Sequence, residues 1–326
     1  MSPPVPVTIL TGFLGSGKTT LLNYILTQKH GHRIAVIENE FGEINIDSDL
    51  IMHADEEIFE LTNGCVCCVG SARADLLRIL QTLMKRREKF DHILVETSGL
   101  ADPTPVAATF FVDTDVARQV NLDAIVTLVD ARHAGRHLDD PRLQGGDNQA
   151  VDQIVVADRI IMNKVDLVDE TGLGELEGRV RSLNATAPIL RSSHARVNLD
   201  EILGIGAFNL SSTMAVDPHF LEDHAHQHDA SLDSVSLSYS GSFERDRLEG
   251  YLKELLGKEG ENIFRLKGIL GLRGDAQRWV LQGVHRLMEL KPVDAWGTEK
   301  PASRIVFIGR NLDRASLDAG LRACLA

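Results

Sequence analysis

The chain is poor in sulfur: its 326 residues hold four cysteines. That is too few for a framework of disulfide staples. Three of the four, Cys65, Cys67 and Cys68, crowd into one stretch, LTNGCVCCVG (61–70). The chain also lacks any apolar run near the roughly 20 residues a membrane-spanning helix needs. Its first residues, MSPPVPVTIL, show neither a basic start nor a cleavage site. No signal peptide is therefore expected, and the expected location is the cytoplasm. Positive charge is scarce: 34 Lys and Arg face 47 Asp and Glu, a formal net charge of −13. Nucleic-acid binders carry a basic face, so this balance weighs against that role. No internal repeat or coiled-coil pattern is present. In a reducing compartment, clustered thiols read as metal ligands or redox groups.

What is present is an ordinary composition, 43% hydrophobic and 25% charged, with length enough for two domains. VTILTG (7–12), RIAVIEN (33–39), HILVE (92–96), AIVTLVDA (124–131), RIIMNKVD (159–166) and PILRS (188–192) are apolar and read as buried strands, with IFELTN (58–63) a short one. Helical spacing runs from about Lys18 to Gln28 and over 71–86, where Ser71 is a candidate N-cap. Strands alternating with helices predict an α/β domain with a mostly parallel sheet over 1–212. Residues 213–233 are rich in His and Asp and read as a linker. Beyond it, 234–326 reads as a small α+β domain. Its predicted order is β-α-β-β-β-α, with 278–290 taken as a single strand.

Gly12-Phe-Leu-Gly-Ser-Gly17-Lys18-Thr19 fits G-x-x-x-x-G-K-[ST], after a predicted strand and at the start of a helix. Its glycines let backbone N–H groups face a phosphate chain, and Lys18 reaches the β- and γ-phosphates. The Thr19 hydroxyl takes a Mg²⁺ position. Asn163-Lys164-Val165-Asp166 closes the strand RIIM. A carboxylate at Asp166 can accept from guanine N1–H and its exocyclic amine, a donor pair adenine does not offer. That points to GTP. Asn163 braces the loop, and the Lys164 stem lies along the base. Ser193, His194 and Ala195 are candidate second contacts to the base. Glu96-Thr-Ser-Gly99 ends another strand, where a γ-phosphate sensor is expected: Gly99 through its N–H, Glu96 through Mg²⁺-bound or attacking water. The alternative is a strand-end glutamate before a turn. Asp47 and Asp130 read equally as pocket residues or as loop and strand-end residues.

GFLGSGKTT, VIENEFGE, LTNGCVCC, VETSGLADP and NKVD, in that order, together resemble the CobW-type P-loop GTPases, relatives of HypB and UreG. WGTEKPASRIVFIG resembles the family's C-terminal domain, so the likeness runs almost end to end. The resemblance implies a metal-regulated GTPase, with a G domain and a small C-terminal domain, that delivers or inserts a transition metal into a client protein. It implies self-association in some members. By position, it assigns Gly12, Gly15, Ser16, Gly17, Lys18, Thr19 and Thr20 to phosphate, and Asn163, Lys164 and Asp166 to guanine. Cys65, Cys67 and Cys68 match the family's metal motif, with Glu38 and Glu43 in its carboxylate loop. The chain departs from the family in its short His run, which weighs against a storage role.

Three thiolates suit Zn²⁺, Cu(I) or another softer metal, and a tetrahedral zinc site needs a fourth ligand. Zn²⁺ is the expected metal, with Co²⁺ and Ni²⁺ as the other candidates. A redox sensor and a buried core cluster are the competing readings of the same cysteines. His219, His224, His226 and His228 read equally as a weak metal catch and as a solvated linker. His92, His133, His137 and His194 are isolated and read as structural or surface residues. Trp279 and Trp296 read as packing or partner-facing residues. Two other functions remain open: a metal sensor or storage protein with incidental GTPase activity, and a small-molecule P-loop kinase, which Asp166 opposes.

Overall fold

A computed structural model of the chain describes residues 3–28, 30–38, 58–60, 71–112, 119–139, 148–207, 233–260, 262–298 and 300–326. Cys65, Cys67, Cys68, Glu43, Asp47 and the histidines at 219, 224, 226 and 228 lie outside the described residues, as does the predicted linker up to 232. The chain divides into two compact units, Met1–Arg179 with Ala187–Ala207, and Val180–Thr186 with Phe208–Ala326.

Among the described residues the first unit is built on seven strands: β1 (Val5–Gly12), β2 (Ile34–Glu38), β3 (Ile58–Glu60), β4 (His92–Glu96), β5 (Val120–Asp130), β6 (Arg159–Asn163) and β7 (Ile189–Ser192). Their order is β3-β2-β4-β1-β5-β6-β7, and every neighbouring pair is parallel. Every residue of β4 is buried, as is all of β1 except Pro6. Such unbroken apolar runs belong to a parallel sheet covered on both faces. Helix α1 (Lys18–Thr27) buries Lys18, Leu21, Leu22, Ile25 and Leu26, the i, i+3, i+4 stripe of an amphipathic helix. Its leucines and isoleucine join Leu10, Val36, Val126 and Ile161 in one core.

Four further helices were not read from sequence: α3 (Thr104–Val112), α4 (Ala134–Leu138), α5 (Gln149–Val155) and α6 (Glu170–Leu183). They follow α2 (Ser71–Met84), which starts at Ser71 itself.

Among the described residues the second unit pairs five antiparallel strands with two helices: β8 (Asp233–Ser240), α7 (Arg245–Glu259), β9 (Ile263–Gly271), β10 (Gln277–Val284), β11 (Leu287–Ala295), β12 (Ala302–Gly309) and α8 (Arg314–Arg322), with strand order β11-β10-β9-β12-β8. The single strand expected over 278–290 is two. The chain reverses at His285-Arg286, with His285 in the left-handed region at φ 50°, and Val284 pairs with Leu287. Two-residue hairpins favour Asn-Gly or Asp-Gly at such positions, and His-Arg carries no such signal. Leu248, Leu252 and Leu256 of α7 and Leu317 and Leu321 of α8 pack on Leu237, Leu266 and Phe307. Cys324 is a free, buried member of that core. Trp279 is buried there too, donating through Nε1 to Asp275 at 2.8 Å, so it is a packing residue. Trp296 is also buried, with the Arg278 guanidinium 5.0 Å from its ring centre. Among the described residues no helix is long and apolar enough to cross a membrane.

Candidate functional site

The ends of the parallel strands bring the chemistry together. Backbone register sets Gly12 beside Leu128, Leu10 beside Glu96, Glu38 beside Glu96, Asp130 beside Asn163, and Asn163 beside Ser192. All of these lie at or near C-terminal strand ends, the edge where open α/β sheets bind ligands.

The loop after β1 is shaped by its glycines. Gly12, Gly15 and Gly17 have φ of 143°, 76° and 108°, the left-handed region that side chains disfavour. A Cβ on Gly12 would stand 2.4 Å from the Leu128 carbonyl oxygen, and one on Gly17 would stand 2.5 Å from Asn163 Nδ2. Gly17 opens α1 with no side-chain cap. Lys18 is buried, and its ammonium donates to the Gly12 carbonyl at 2.9 Å. The Ser16 hydroxyl is buried without a hydrogen-bond partner among the described residues. Thr19 is half-buried and Thr20 exposed. A tight glycine cradle, uncapped helix N–H groups, a buried ammonium and an orphaned hydroxyl together fit a phosphate chain. The Thr19 hydroxyl and the buried Glu96 carboxylate are hard oxygen donors of the kind Mg²⁺ takes.

Asn163 ties the loops together. Its Nδ2 donates to the Ser16 carbonyl at 2.9 Å, and its Oδ1 accepts from Ala195 N at 2.9 Å. The residues after β7 that offer this amide are held in unusual backbone, His194 at φ 55° and Ala195 at φ 54°. Ser193 accepts from Arg196 N through its carbonyl. Lys164, also left-handed at φ 62°, bridges the Gly15 carbonyl and Asp130 Oδ2, each at 2.7 Å. Asp166 is exposed in a short 3-10 turn, Val165–Leu167. Asp130 also receives the His133 ring at 3.0 Å and the Arg132 amide at 2.9 Å. Burial pushes its carboxyl up, but the Lys164 and His133 hydrogen bonds outweigh that and hold it below the ordinary range.

The loop after β4 lies against this cradle. Thr97 N donates to the Leu10 carbonyl at 2.9 Å. Gly99 is buried so close to Leu14 that a Cβ would stand 2.8 Å from Leu14 N. On its other side, the buried Gln153 of α5 donates to the carbonyls of Gly99 at 3.2 Å and Ala101 at 2.9 Å. Sequence reasoning missed Gln153. The only local signal nearby was Asn148, which caps α5 by accepting from Ala150 N and Val151 N.

The description "CobW/HypB/UreG, nucleotide-binding domain" matches residues 6–191, and "Cobalamin synthesis protein cobW C-terminal domain" matches 232–325. The chain belongs to the CobW/HypB/UreG family of P-loop GTPases. It is 37% identical to a protein named zinc chaperone YjiA of Escherichia coli, across 98% of this chain and 99% of that one. It is 32% identical to zinc-regulated GTPase metalloprotein activator 1 of Schizosaccharomyces pombe, across 96% of this chain and 84% of the other. Among solved structures, the Zn(II)-bound YjiA GTPase of E. coli matches with a TM-score of 0.76 and 31% identity, each chain covered in full.

For this CobW/HypB/UreG chain, the structure brings together the phosphate-loop, Glu96, Gly99, Asn163 and Lys164 candidates, Asp166 follows in an exposed turn, and Glu38 ends the strand beside Glu96. Among the described residues, no group of three or more His, Cys, Asp or Glu could hold a metal ion.

Proposed function

We propose that this chain hydrolyses GTP to GDP and phosphate and uses that cycle to deliver a transition metal, zinc foremost, to a client protein. The observation that carries the reading is the grip of Asn163, which joins the phosphate loop at Ser16 to the backbone at Ala195. A base-reading loop and a phosphate-reading loop held as one unit suit a single purine nucleotide. In this reading the N–H groups of residues 15–20 and the Lys18 ammonium bind the phosphates. Asp166 takes the guanine edge, and Ser193 flanks it. Glu96 orients the attacking water, and Gly99 meets the γ-phosphate through its N–H. Thr19 would hold Mg²⁺, which would supply neutralising positive charge to the phosphates.

Zinc is the cargo in this reading, held by Cys65, Cys67 and Cys68 with Glu38 or Glu43 completing the shell. Relatives named zinc chaperone and zinc-regulated GTPase metalloprotein activator support it. Nucleotide and metal affinities are then linked, and the linkage is reciprocal. Two measurements test the reading. Zinc affinity is expected to rise when GDP is exchanged for a non-hydrolysable GTP analogue; equal affinities leave a metal sensor with incidental GTPase activity. Asp166→Asn is expected to abolish the preference for guanine over adenine nucleotides. A wild type with no such preference is a P-loop kinase or other ATP user instead.

A further inference from the structure

We propose that Gln153 is a positioning residue for the triphosphate end of the nucleotide, acting by locking one peptide of the loop after β4. The inference rests on the GTPase reading above and deepens it. Residues Ser98–Ala101 form a hydrogen-bonded turn, with Ala101 N donating to the Ser98 carbonyl at 3.0 Å. The central peptide of such a turn, here Gly99–Leu100, can rotate by half a revolution while the closing hydrogen bond survives. Its orientation is therefore a soft variable of this loop. Gln153 removes it. The side chain is almost fully buried at 1% exposure, and both hydrogens of its amide are spent, on Gly99 O at 3.2 Å and Ala101 O at 2.9 Å.

The peptide is planar and trans, so fixing Gly99 C=O toward α5 turns the Leu100 N–H to the opposite side, where it reaches the Ser98 hydroxyl in a long contact of 3.5 Å. There the loop lies against the phosphate loop, where Gly99 leaves no room for a Cβ beside Leu14 N. A flipped peptide would instead present a carbonyl oxygen on that side. An oxygen there repels a phosphate oxygen, whereas an N–H attracts it. Gln153 also has the anchorage this requires: its own carbonyl accepts from the buried Thr127 hydroxyl at 2.8 Å, which pins α5 to β5. Two loop carbonyls with no strand or helix partner thus depend on one side-chain amide. Losing it leaves both without their partner and frees the turn to rotate.

The test compares GTP-analogue and GDP affinities in the full chain carrying Gln153→Met, which keeps the volume and removes the donors. The milder Gln153→Asn, one methylene too short to span both carbonyls, makes the same comparison if the first variant does not fold. GTP-analogue affinity is expected to fall about tenfold while GDP affinity stays within about twofold, with kcat for hydrolysis falling in parallel. A general packing role would weaken both nucleotides together, and that result overturns the proposal. Unchanged affinity for both overturns it as well, while leaving the GTPase reading intact. A wild type that binds no guanine nucleotide overturns both.

Discussion

The two ends of the seven-stranded sheet handle buried polarity in opposite ways. At the C-terminal ends, polar groups bridge from one loop to another. Asn163 reaches Ser16 and Ala195, Lys164 reaches Gly15 and Asp130, and Gln153 reaches Gly99 and Ala101. Toward the other end they close on one another between strands. His92 of β4 meets the Thr8 hydroxyl of β1 at 2.8 Å, and that hydroxyl donates to Asp123 of β5 at 3.0 Å. Asp123 also accepts from Gly204 N at 2.9 Å and Gly206 N at 2.6 Å. The first end keeps a buried ammonium and an orphaned hydroxyl beside glycines that leave no space for side chains. The second ties its polar groups to one another, apart from a buried His92 Nδ1 with no hydrogen-bond partner among the described residues, and is all but sealed from solvent, with His92 at 0% exposure and Asp123 at 2%. Binding capacity and structural support are thus separated along one sheet, and substitutions should separate them too.

The largest expected effect is at the nucleotide end. Lys18→Ala should lower the rate of GTP hydrolysis by about 1000-fold, because it removes the charge that the proposed reading sets against the transferring phosphate. Thermal melting without nucleotide should change little. A comparable loss of melting temperature would show that the two ends are not separable.

Asp123→Ala should do the reverse. It strips the acceptor from Thr8 and from the Gly204 and Gly206 amides, and unsatisfied buried groups cost about 1–3 kcal/mol each. We expect a loss of about 3 kcal/mol in denaturant unfolding, with nucleotide affinity of the folded fraction unchanged.

The smallest effect sharpens the comparison through pH. Burial, aided by His32 and opposed by Asp91, pulls His92 from its ordinary 6.5 down to about 4. The unfolded chain therefore takes up this proton first as pH falls. The stabilisation is complete above 6.5 and drains away between 6.5 and about 4, with a slope of at most about 1.4 kcal/mol per pH unit. His92→Gln retains an amide donor for Thr8 and cannot titrate. Its unfolding free energy should be flatter over that window than the wild type's, and parallel curves would remove His92 as the source.

How much was legible in sequence follows the range of the interaction. The phosphate loop was readable because each glycine answers a local backbone demand, as the φ values of Gly12, Gly15 and Gly17 show. The strands of the parallel sheet were readable because continuous apolar runs need no partner to be recognised. His92 was read as one more isolated histidine, because Thr8 lies 84 residues away and meets it only through strand pairing. Gln153 carried no pattern at all; its role exists only because α5 and the loop after β4 meet. The hairpin at His285-Arg286 escaped because its residues are not turn formers, and the pairing of β10 with β11 imposes the reversal.

The sequence by itself determined the local chemistry: a glycine cradle ending in Lys18-Thr19, an Asn-Lys-x-Asp strand end and a cluster of three thiols. Only the tertiary structure decided which groups hold which. A hydrogen bond such as Asn163 to Ser16 spans 147 residues of chain, and no local propensity acts over that separation. Parallel pairing sets the register, register sets which strand ends coincide, and that coincidence turns separate motifs into one site.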